Sequence, residues 1–251
     1  MNLNREWFDD ESFWREMYPF MFSPQRLADG ELHVKKALRL ARPHGKSVLD
    51  LCCGPGRCAV ALAKRGYPVT GVDKTKYLLD RARAKARKAR VKIEWVRNDM
   101  RDFVRPNAFA LTLSMFTSFG YFENKDDDLR VLENIFKSLK PDGAFLIEMM
   151  GKERLAKIFQ SPITTVLSHG ATWIDRHEIV EDWTRVRNEW TVIRNGKTKR
   201  FNFTLNICSG LELRERMEGV GFVDVKLYGS LDGIEYDSDA ERLVAVGRKS
   251  R

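Results

Sequence analysis

The chain has 251 residues, of which 43% are hydrophobic, and its formal net charge is +9 at pH 7. This length permits one large α/β domain, or such a domain with an insertion, and the apolar content can supply a sizeable core. No apolar run reaches the roughly 18 residues that a membrane-spanning helix requires, and the N-terminus is too acidic for a secretory signal. A cytoplasmic location without membrane association is therefore predicted.

The cysteines and the basic residues do not indicate a special chemistry. Cys52, Cys53, Cys58 and Cys208 lack the spacing of a zinc site, so buried reduced thiols and no metal are predicted. Much of the positive charge lies in residues 81–90, R-A-R-A-K-A-R-K-A-R. A solvated helix face is favoured there, and a nucleic-acid-binding surface remains an alternative.

The N-terminal segment, residues 1–31, is rich in aromatic side chains. Asp10 is a plausible N-cap, and Phe13, Trp14 and Met17 recur at helical spacing. Such a segment has to cover an apolar surface. Two interpretations are open, namely plain packing on the core and a helical lid over a ligand cleft.

The central motif is S-V-L-D-L-C-C-G-P-G-R-C at 47–58. Residues 48–51 form a short apolar run, which predicts a strand buried on both faces. Gly54 and Gly56 then indicate a tight turn, and good helix formers follow from Ala59. A strand, a glycine turn and a helix begin a βαβ unit, where a ligand can approach bare backbone and a helix N-terminus.

The next strand, residues 68–73, ends in an acid. Asp73 lies 19 residues after Gly54, close to the offset of about 20 at which an acid meets ribose hydroxyls in nucleotide-binding folds. A second acid, Asp50, lies inside the first strand. An acid beside the glycine turn suits a cationic ligand better than a pyrophosphate.

Further elements follow in an alternating order up to residue 150. Strands are predicted at 91–96, 108–115 and 144–150, with an amphipathic helix at 126–140 that places Leu129 on its apolar face and a turn at 140–143. Asp99 and Met100 follow the first of these strands. The aromatic and hydroxylic run F-T-S-F-G-Y-F at 116–122 follows the second.

After residue 150 the alternation of strands and helices gives way to successive strand-like runs. Strand-like runs separated by turn signals lie at 163–168, 171–181, 183–194 and 199–207. The pair Asn195-Gly196 is a strong hairpin signal. An antiparallel sheet is therefore predicted, followed by a helix at 209–219 with Leu211, Leu213 and Met217 apolar, and by strands at 221–228 and 243–248.

The run D-L-C-C-G-P-G at 50–56, with Asp73 downstream, resembles the first two motifs of class I S-adenosylmethionine (SAM)-dependent methyltransferases. L-K-P-D-G-A-F-L-I-E at 139–148 resembles a later segment of that family. The resemblance implies an α/β fold with a Rossmann-like, doubly wound, seven-stranded sheet that is mostly parallel and has an antiparallel last strand. On this basis residues 32–150 and 208–251 form the SAM-binding domain, 151–207 form an inserted antiparallel β subdomain, and 1–31 form the lid.

The resemblance also implies SAM as the cofactor, which carries an ammonium and a sulfonium and no phosphate. Asp99 and Met100 match the positions that meet the adenine. The residues expected at the cofactor are Asp50, Cys52, Gly54, Gly56, Asp73, Lys74, Leu78, Asp99, Met100 and Met115.

The methyl acceptor is expected to be a small molecule held between the core, the lid and the insert. The candidate acceptor-binding residues are Tyr18, Phe116, Tyr121, Trp173 and Arg176, and the insert residues Trp183, Arg185 and Arg187 are further possibilities. A general base is needed only for a protonated nucleophile, and the candidates are Tyr121, His169 and His177. An RNA methyltransferase and a non-catalytic module that binds SAM or another nucleoside are the alternatives.

Overall fold

The structure is a computed structural model, and it describes residues 6–167 and 170–250. Its larger sheet has seven strands in the order β10-β11-β5-β4-β1-β2-β3. These strands are β1 (Val48–Leu51), β2 (Val69–Asp73), β3 (Glu94–Arg97), β4 (Phe109–Ser114), β5 (Leu139–Met149), β10 (Phe222–Tyr228) and β11 (Leu243–Lys249).

The pairing confirms the predicted Rossmann-like sheet. Strand β1 pairs in parallel with β2 and β4, whereas β11 is antiparallel to both β5 and β10. Leu49 and Leu51 belong to one apolar cluster and Val48 belongs to another. Since successive strand residues point to opposite faces, both faces of the sheet are covered. The helices of this layer are α3 (Gly30–Ala41), α4 (Arg57–Lys64), α5 (Lys76–Ala89), α6 (Lys125–Ser138) and α8 (Gly210–Val220).

The insert forms a separate antiparallel sheet in the order β6-β7-β8-β9. Its strands are β6 (Ile163–Val166), β7 (Thr172–Val180), β8 (Arg185–Arg194) and β9 (Lys197–Asn206), preceded by α7 (Lys152–Ile158). Asn195 and Gly196 have φ values of 51° and 70°, and Arg194 pairs with Lys197. The hairpin prediction is confirmed, because two consecutive positive φ values are typical of a type I′ turn.

The N-terminal segment packs against the insert. It comprises a short 3₁₀ turn (Trp7–Asp9), α1 (Glu11–Met21) and α2 (Pro24–Ala28). Asp10 caps α1 as predicted, because its side chain accepts a hydrogen bond from the Ser12 amide at 2.9 Å. Phe13, Met17 and Phe203 share one buried apolar cluster. The apolar face of α1 therefore joins the core of the small sheet.

Three local predictions were wrong. Leu129 is 43% exposed, and Asp128 takes the buried position on α6 because Asn206 donates to its carboxylate at 3.0 Å. Leu211 is likewise exposed, although Leu213 and Met217 are buried. The segment 140–143 is not a separate turn but an irregular start of β5, where the pairing register with β4 shifts.

Gly120 lies where the core packs against strand β9 of the small sheet, and its substitution tests this contact. Its φ is +99°, and a Cβ there would lie 2.5 Å from the carbonyl oxygen of Asn206. Gly120→Ala should lower the free energy of unfolding by about 1–3 kcal/mol, because it combines backbone strain with a clash against backbone. Chemical denaturation measures the change. Gly219→Ala in α8 is the matched control, because a Cβ there meets nothing within 4 Å, and it should stabilise by up to about 1 kcal/mol. Equal stability of Gly120→Ala and wild type would contradict the prediction.

Candidate functional site

A cavity of about 720 Å³ opens at the carboxyl ends of the parallel strands. Ligands bind at this edge in open α/β sheets. The core, the N-terminal segment and the insert all contribute to its wall. The sequence-predicted residues that line it are Asp50, Cys52, Gly54, Asp73, Lys74, Leu78, Asp99, Met100, Met115, Phe116, Tyr121 and Trp173.

The glycine turn is fastened to the end of β2. The amide of Gly54 donates to Asp73 Oδ2 at 2.8 Å, and the amide of Thr75 donates to Asp73 Oδ1 at 2.8 Å. Gly54 has a φ of +53°, a conformation that glycine adopts without steric cost. Burial raises the pKa of Asp73, although these two donors oppose the shift. Each carboxylate oxygen keeps acceptor capacity for a ligand hydroxyl.

Asp50 is a buried acid without full compensation. It is 3% exposed, and its Oδ2 has no hydrogen-bond partner among the described residues. Burial raises the pKa of Asp50 to about 7, a backbone hydrogen bond from Ala59 opposes the shift, and the charge of Asp73 adds to it. Because an unpaired buried carboxylate is costly, this position is set to receive a positive charge.

Asp99 is held in an ion network with the N-terminal segment. Arg101 donates to both oxygens of Asp99, at 3.0 and 2.7 Å, and Lys74 lies 3.0 Å from Oδ2. Arg101 and Lys74 also contact Glu6, and Lys74 contacts Asp9. Burial raises the pKa of Asp99, but the hydrogen bonds from Arg101 and Lys74 outweigh burial and hold it at about 2. An adenine amino group would share this carboxylate with two basic side chains.

Apolar side chains complete this half of the cavity. Leu78 and Met115 are buried, and Cys52 Sγ lies 3.4 Å from Met100 Sδ. Burial raises the pKa of the Cys52 thiol well above its usual value, so it stays protonated and acts as a small apolar group. Such a wall suits the faces of a flat heterocycle.

The other half of the cavity contains a strained turn after β4. Phe116 and Thr117 have φ values of 63° and 57°, which are uncommon for an aromatic and a β-branched residue. Buried Glu148 holds the turn, because Phe116 N donates to its carboxylate at 2.7 Å and Arg242 pairs with the same carboxylate. Arg242 also donates to Thr117 Oγ1 at 2.7 Å. Backbone strain of this kind is concentrated at functional sites.

Aromatic rings from three segments line the wall opposite the sheet edge. They are Trp7 and Trp14 of the N-terminal segment, Tyr121 of the core, and Trp173 and Trp190 of the insert. Trp173 and Trp190 lie 4.7 Å apart between ring centroids, and Trp7 and Tyr121 lie 5.1 Å apart. Burial raises the pKa of Tyr121 to about 12, so its hydroxyl remains protonated at neutral pH.

Some predicted residues lie away from the cavity. Tyr18 contacts Tyr77 and Arg81 on the surface of α5, and Arg176 is exposed and pairs with Glu189 at 3.1 Å. Arg176 lies away from the cavity because alternate residues of β7 point to opposite faces of the sheet, and Trp173 occupies the face toward the cavity.

Other candidates fall outside it as well. His177 lies 3.4 Å from Asp175 and packs on Phe159, while His169 lies outside the described residues. Gly56 is the N-cap residue of α4 and does not line the cavity; a Cβ there would lie 3.1 Å from Trp95. The insert side chains Trp183, Arg185 and Arg187 do not line the cavity either.

Sequence reasoning missed several ionisable cavity residues, among them His33, Arg57, Glu148 and Arg242. Arg57 lies inside the glycine motif, which is the one signal that could have identified it. The other three come from α3, β5 and the segment before β11, and each has an ordinary local pattern. The arrangement of the strands brings them together.

The donor set fits SAM. Asp50 is a buried carboxylate with an unpartnered oxygen, as an ammonium or a sulfonium requires, and Asp73 offers acceptors beside the glycine turn. The apolar wall of Leu78, Met100 and Met115 suits an adenine ring. Together, the doubly wound sheet and this half of the cavity define a protein that binds a positively charged nucleoside.

Comparisons with known proteins agree with this class. Residues 48–143 match the family described as "Methyltransferase domain". The YqeM protein of Bacillus subtilis (strain 168), whose name assigns it provisionally to the methyltransferases, is 24% identical over 86% of this chain and 89% of its own length. A ubiquinone biosynthesis O-methyltransferase of Actinobacillus pleuropneumoniae is 33% identical over 43% of this chain. That match spans 47% of the relative's length. The chain likewise covers about half the length of other curated relatives that it matches.

Solved structures share the whole architecture. A SAM-dependent methyltransferase from Clostridium acetobutylicum superposes with a TM-score of 0.78 at 14% identity, covering 96% of this chain and 99% of that one. SAM-bound CalS10, an amino pentose methyltransferase from Micromonospora echinaspora, superposes with a TM-score of 0.66 at 17% identity and covers 100% of this chain and 99% of that one. Residues 48–143 therefore match a methyltransferase domain, and the described chain shares the fold of solved SAM-dependent methyltransferases.

Proposed function

We propose that the protein transfers the methyl group of SAM to a nucleophile on a small molecule. The observation that carries this proposal is the continuity of the cavity, which runs from the three acids to the aromatic rings of the N-terminal segment and the insert. Such an enclosure suits a small acceptor. Names of similar proteins support it, since one acts in ubiquinone biosynthesis and another on an amino pentose.

The N-terminal segment, residues 1–31, acts as a lid in this proposal, and residues 151–207 act as a cap. The ion pairs of Arg101 and Lys74 with Glu6 support the first role, because they fasten the segment over Asp99. Among residues 6–167 and 170–250, no helix combines the length and apolarity needed to cross a bilayer. The cytoplasmic location stays a prediction.

Bound SAM supplies an activated methyl group on a sulfonium, and the chain supplies positioning. Transfer by in-line displacement disperses a positive charge, so no oxyanion hole is needed. Holding the two reactants in line can contribute roughly 7–11 kcal/mol to catalysis. The strained turn at Phe116 and Thr117 and the rigid aromatic wall are suited to this task.

A protonated nucleophile would require a base, and His33 is better suited than Tyr121. His33 lines the cavity, and its ring lies 5.2 Å from that of Phe116. Burial lowers the pKa of His33, and the charge of Arg57 lowers it further, so the imidazole is neutral and can accept a proton at pH 7. Tyr121 is already protonated and can act only as a hydrogen-bond donor or acceptor.

Two measurements test the proposed function. Calorimetry should show SAM binding, and SAM labelled in the methyl group should label a small molecule from a cell extract passed through a size filter. His33→Asn should slow that transfer about 100-fold or more while leaving SAM affinity unchanged. Label in the RNA fraction alone would favour an RNA methyltransferase. SAM binding without any transfer would favour a sensor, and absence of SAM affinity would refute the proposal.

A further inference from the structure

Arg57 is a half-buried cation that forms no ion pair within the part of the chain that the structure describes. It begins α4 and lines the cavity. Its Nε is covered by protein and has no hydrogen-bond partner within the described chain. Burial lowers the pKa of the Arg57 guanidinium and the nearby Arg26 lowers it further, although Cys58, Glu148 and Asp29 partly oppose the shift. An uncompensated buried charge is costly, so a native structure keeps one where a ligand supplies the opposite charge.

The neighbours of Arg57 leave its guanidinium edge available. Its central carbon lies 3.9 Å from the centroid of the Phe116 ring. Stacking on an aromatic face occupies the plane of a guanidinium but not its N–H groups, which match the two oxygens of a carboxylate or phosphate. Two acids of this lobe are already engaged, since Glu148 pairs with Arg242 and Asp232 with Lys36. Asp29 and Glu241 also line the cavity, but within the described chain neither forms an ion pair with Arg57.

The order of the strands places Arg57 at the border of the cofactor residues. Across the sheet edge, Asp99 follows β3, Asp73 ends β2, and Gly54 follows β1. Phe116 follows β4, and Glu148 lies in β5, which continue the sheet in the other direction. Arg57 stacks on Phe116 and hence lies toward β4, within electrostatic reach of Asp50.

We infer that Arg57 binds an anionic oxygen group, a carboxylate or a phosphate, on the methyl acceptor. This inference rests on the proposed function, since it assigns a feature of that acceptor. The acceptor is then a molecule with two different ends, an anionic group against Arg57 and an apolar body against the aromatic wall. His33, whose ring contacts that of Phe116 near Arg57, is placed to receive the proton of its nucleophile.

Binding of probe molecules tests the inference without knowledge of the natural acceptor. The protein is first titrated with S-adenosylhomocysteine, then saturated with it, and titrated by calorimetry with 4-hydroxybenzoate, phenyl phosphate and the neutral 4-hydroxybenzamide. At least one acid should bind about 10-fold more tightly than the amide. Arg57→Gln should remove this preference, and Arg57→Lys should restore part of it, because the positive charge is kept but the planar fork is lost.

The outcomes separate the inference from the proposed function. If the wild type does not bind S-adenosylhomocysteine, the proposed function fails. If it binds but no acid is preferred over the amide, only the Arg57 inference fails. A 10-fold loss of S-adenosylhomocysteine affinity in Arg57→Gln, with unchanged affinity for 5′-methylthioadenosine, would also overturn it. That result would show that Arg57 binds the carboxylate of the cofactor itself. Thermal unfolding of both variants shows whether the fold is intact.

Discussion

Asp73→Ala should lower the affinity for SAM by about 100-fold or more. The carboxylate fastens Gly54 and Thr75 through two amide hydrogen bonds of 2.8 Å, and it is also the acid expected to meet the ribose hydroxyls. Hydrogen bonds to a charged group contribute about 1.5–3 kcal/mol each, and about 2.7 kcal/mol corresponds to a factor of 100 in affinity. Alanine removes both the ligand contact and the support of the glycine turn.

The same substitution should lower the free energy of unfolding by roughly 1–3 kcal/mol, because two buried amides lose their acceptor. Calorimetry at a temperature well below unfolding separates this effect from the loss of affinity. Asp73→Asn keeps one acceptor oxygen and should lose less affinity than alanine. Asp80→Ala, which removes an exposed aspartate of α5 that pairs with Lys76 and Arg83, is the matched control. A folded Asp73→Ala protein with wild-type affinity for SAM would contradict the proposed cofactor site.

The cofactor half of the site was predictable because its signals are local. A short apolar strand, two glycines and an acid at a fixed offset specify a strand, a turn and the next strand within about 25 residues. Asp50, Asp73 and Asp99 all line one cavity because they lie at or next to the carboxyl ends of neighbouring parallel strands. The alternation of strands and helices likewise predicts a parallel sheet with both faces covered.

The acceptor half depends on contacts between distant segments, which local patterns do not encode. Trp173 and Arg176 were equally good candidates from the sequence, yet the parity of β7 turns only Trp173 toward the cavity. Leu129 was predicted on the apolar face of α6, but Asp128 is buried there, because Asn206, 78 residues later, donates a hydrogen bond to its carboxylate. His33 has no sequence signal at all, since its position depends on how α3 packs beside Phe116.

Asp50 should make the folding stability of the ligand-free protein and its affinity for SAM change with pH in opposite directions. Burial raises the pKa of this carboxyl to about 7 in the folded protein, compared with about 3.9 in an unfolded chain. The folded state therefore binds the proton more tightly than the unfolded state. The stability that this group confers is fully present below the unfolded pKa and is lost as pH rises through about 7. Asp50→Asn should accordingly raise the free energy of unfolding above neutral pH, by roughly 1–4 kcal/mol.

SAM affinity should show the opposite trend, because a cationic ligand favours the ionised carboxyl. Between pH 7 and 5.5 the affinity should fall by up to about tenfold per unit, since each binding event must first release the proton of Asp50. Asp99, whose pKa the hydrogen bonds from Arg101 and Lys74 hold at about 2, remains ionised over this range. Calorimetry between pH 5.5 and 7.5 should show that the SAM affinity of Asp50→Asn depends less on pH than that of the wild type. At pH 7.5 this variant should also bind SAM more weakly. An unchanged slope in that variant would show that Asp50 does not face the positive charge of the cofactor.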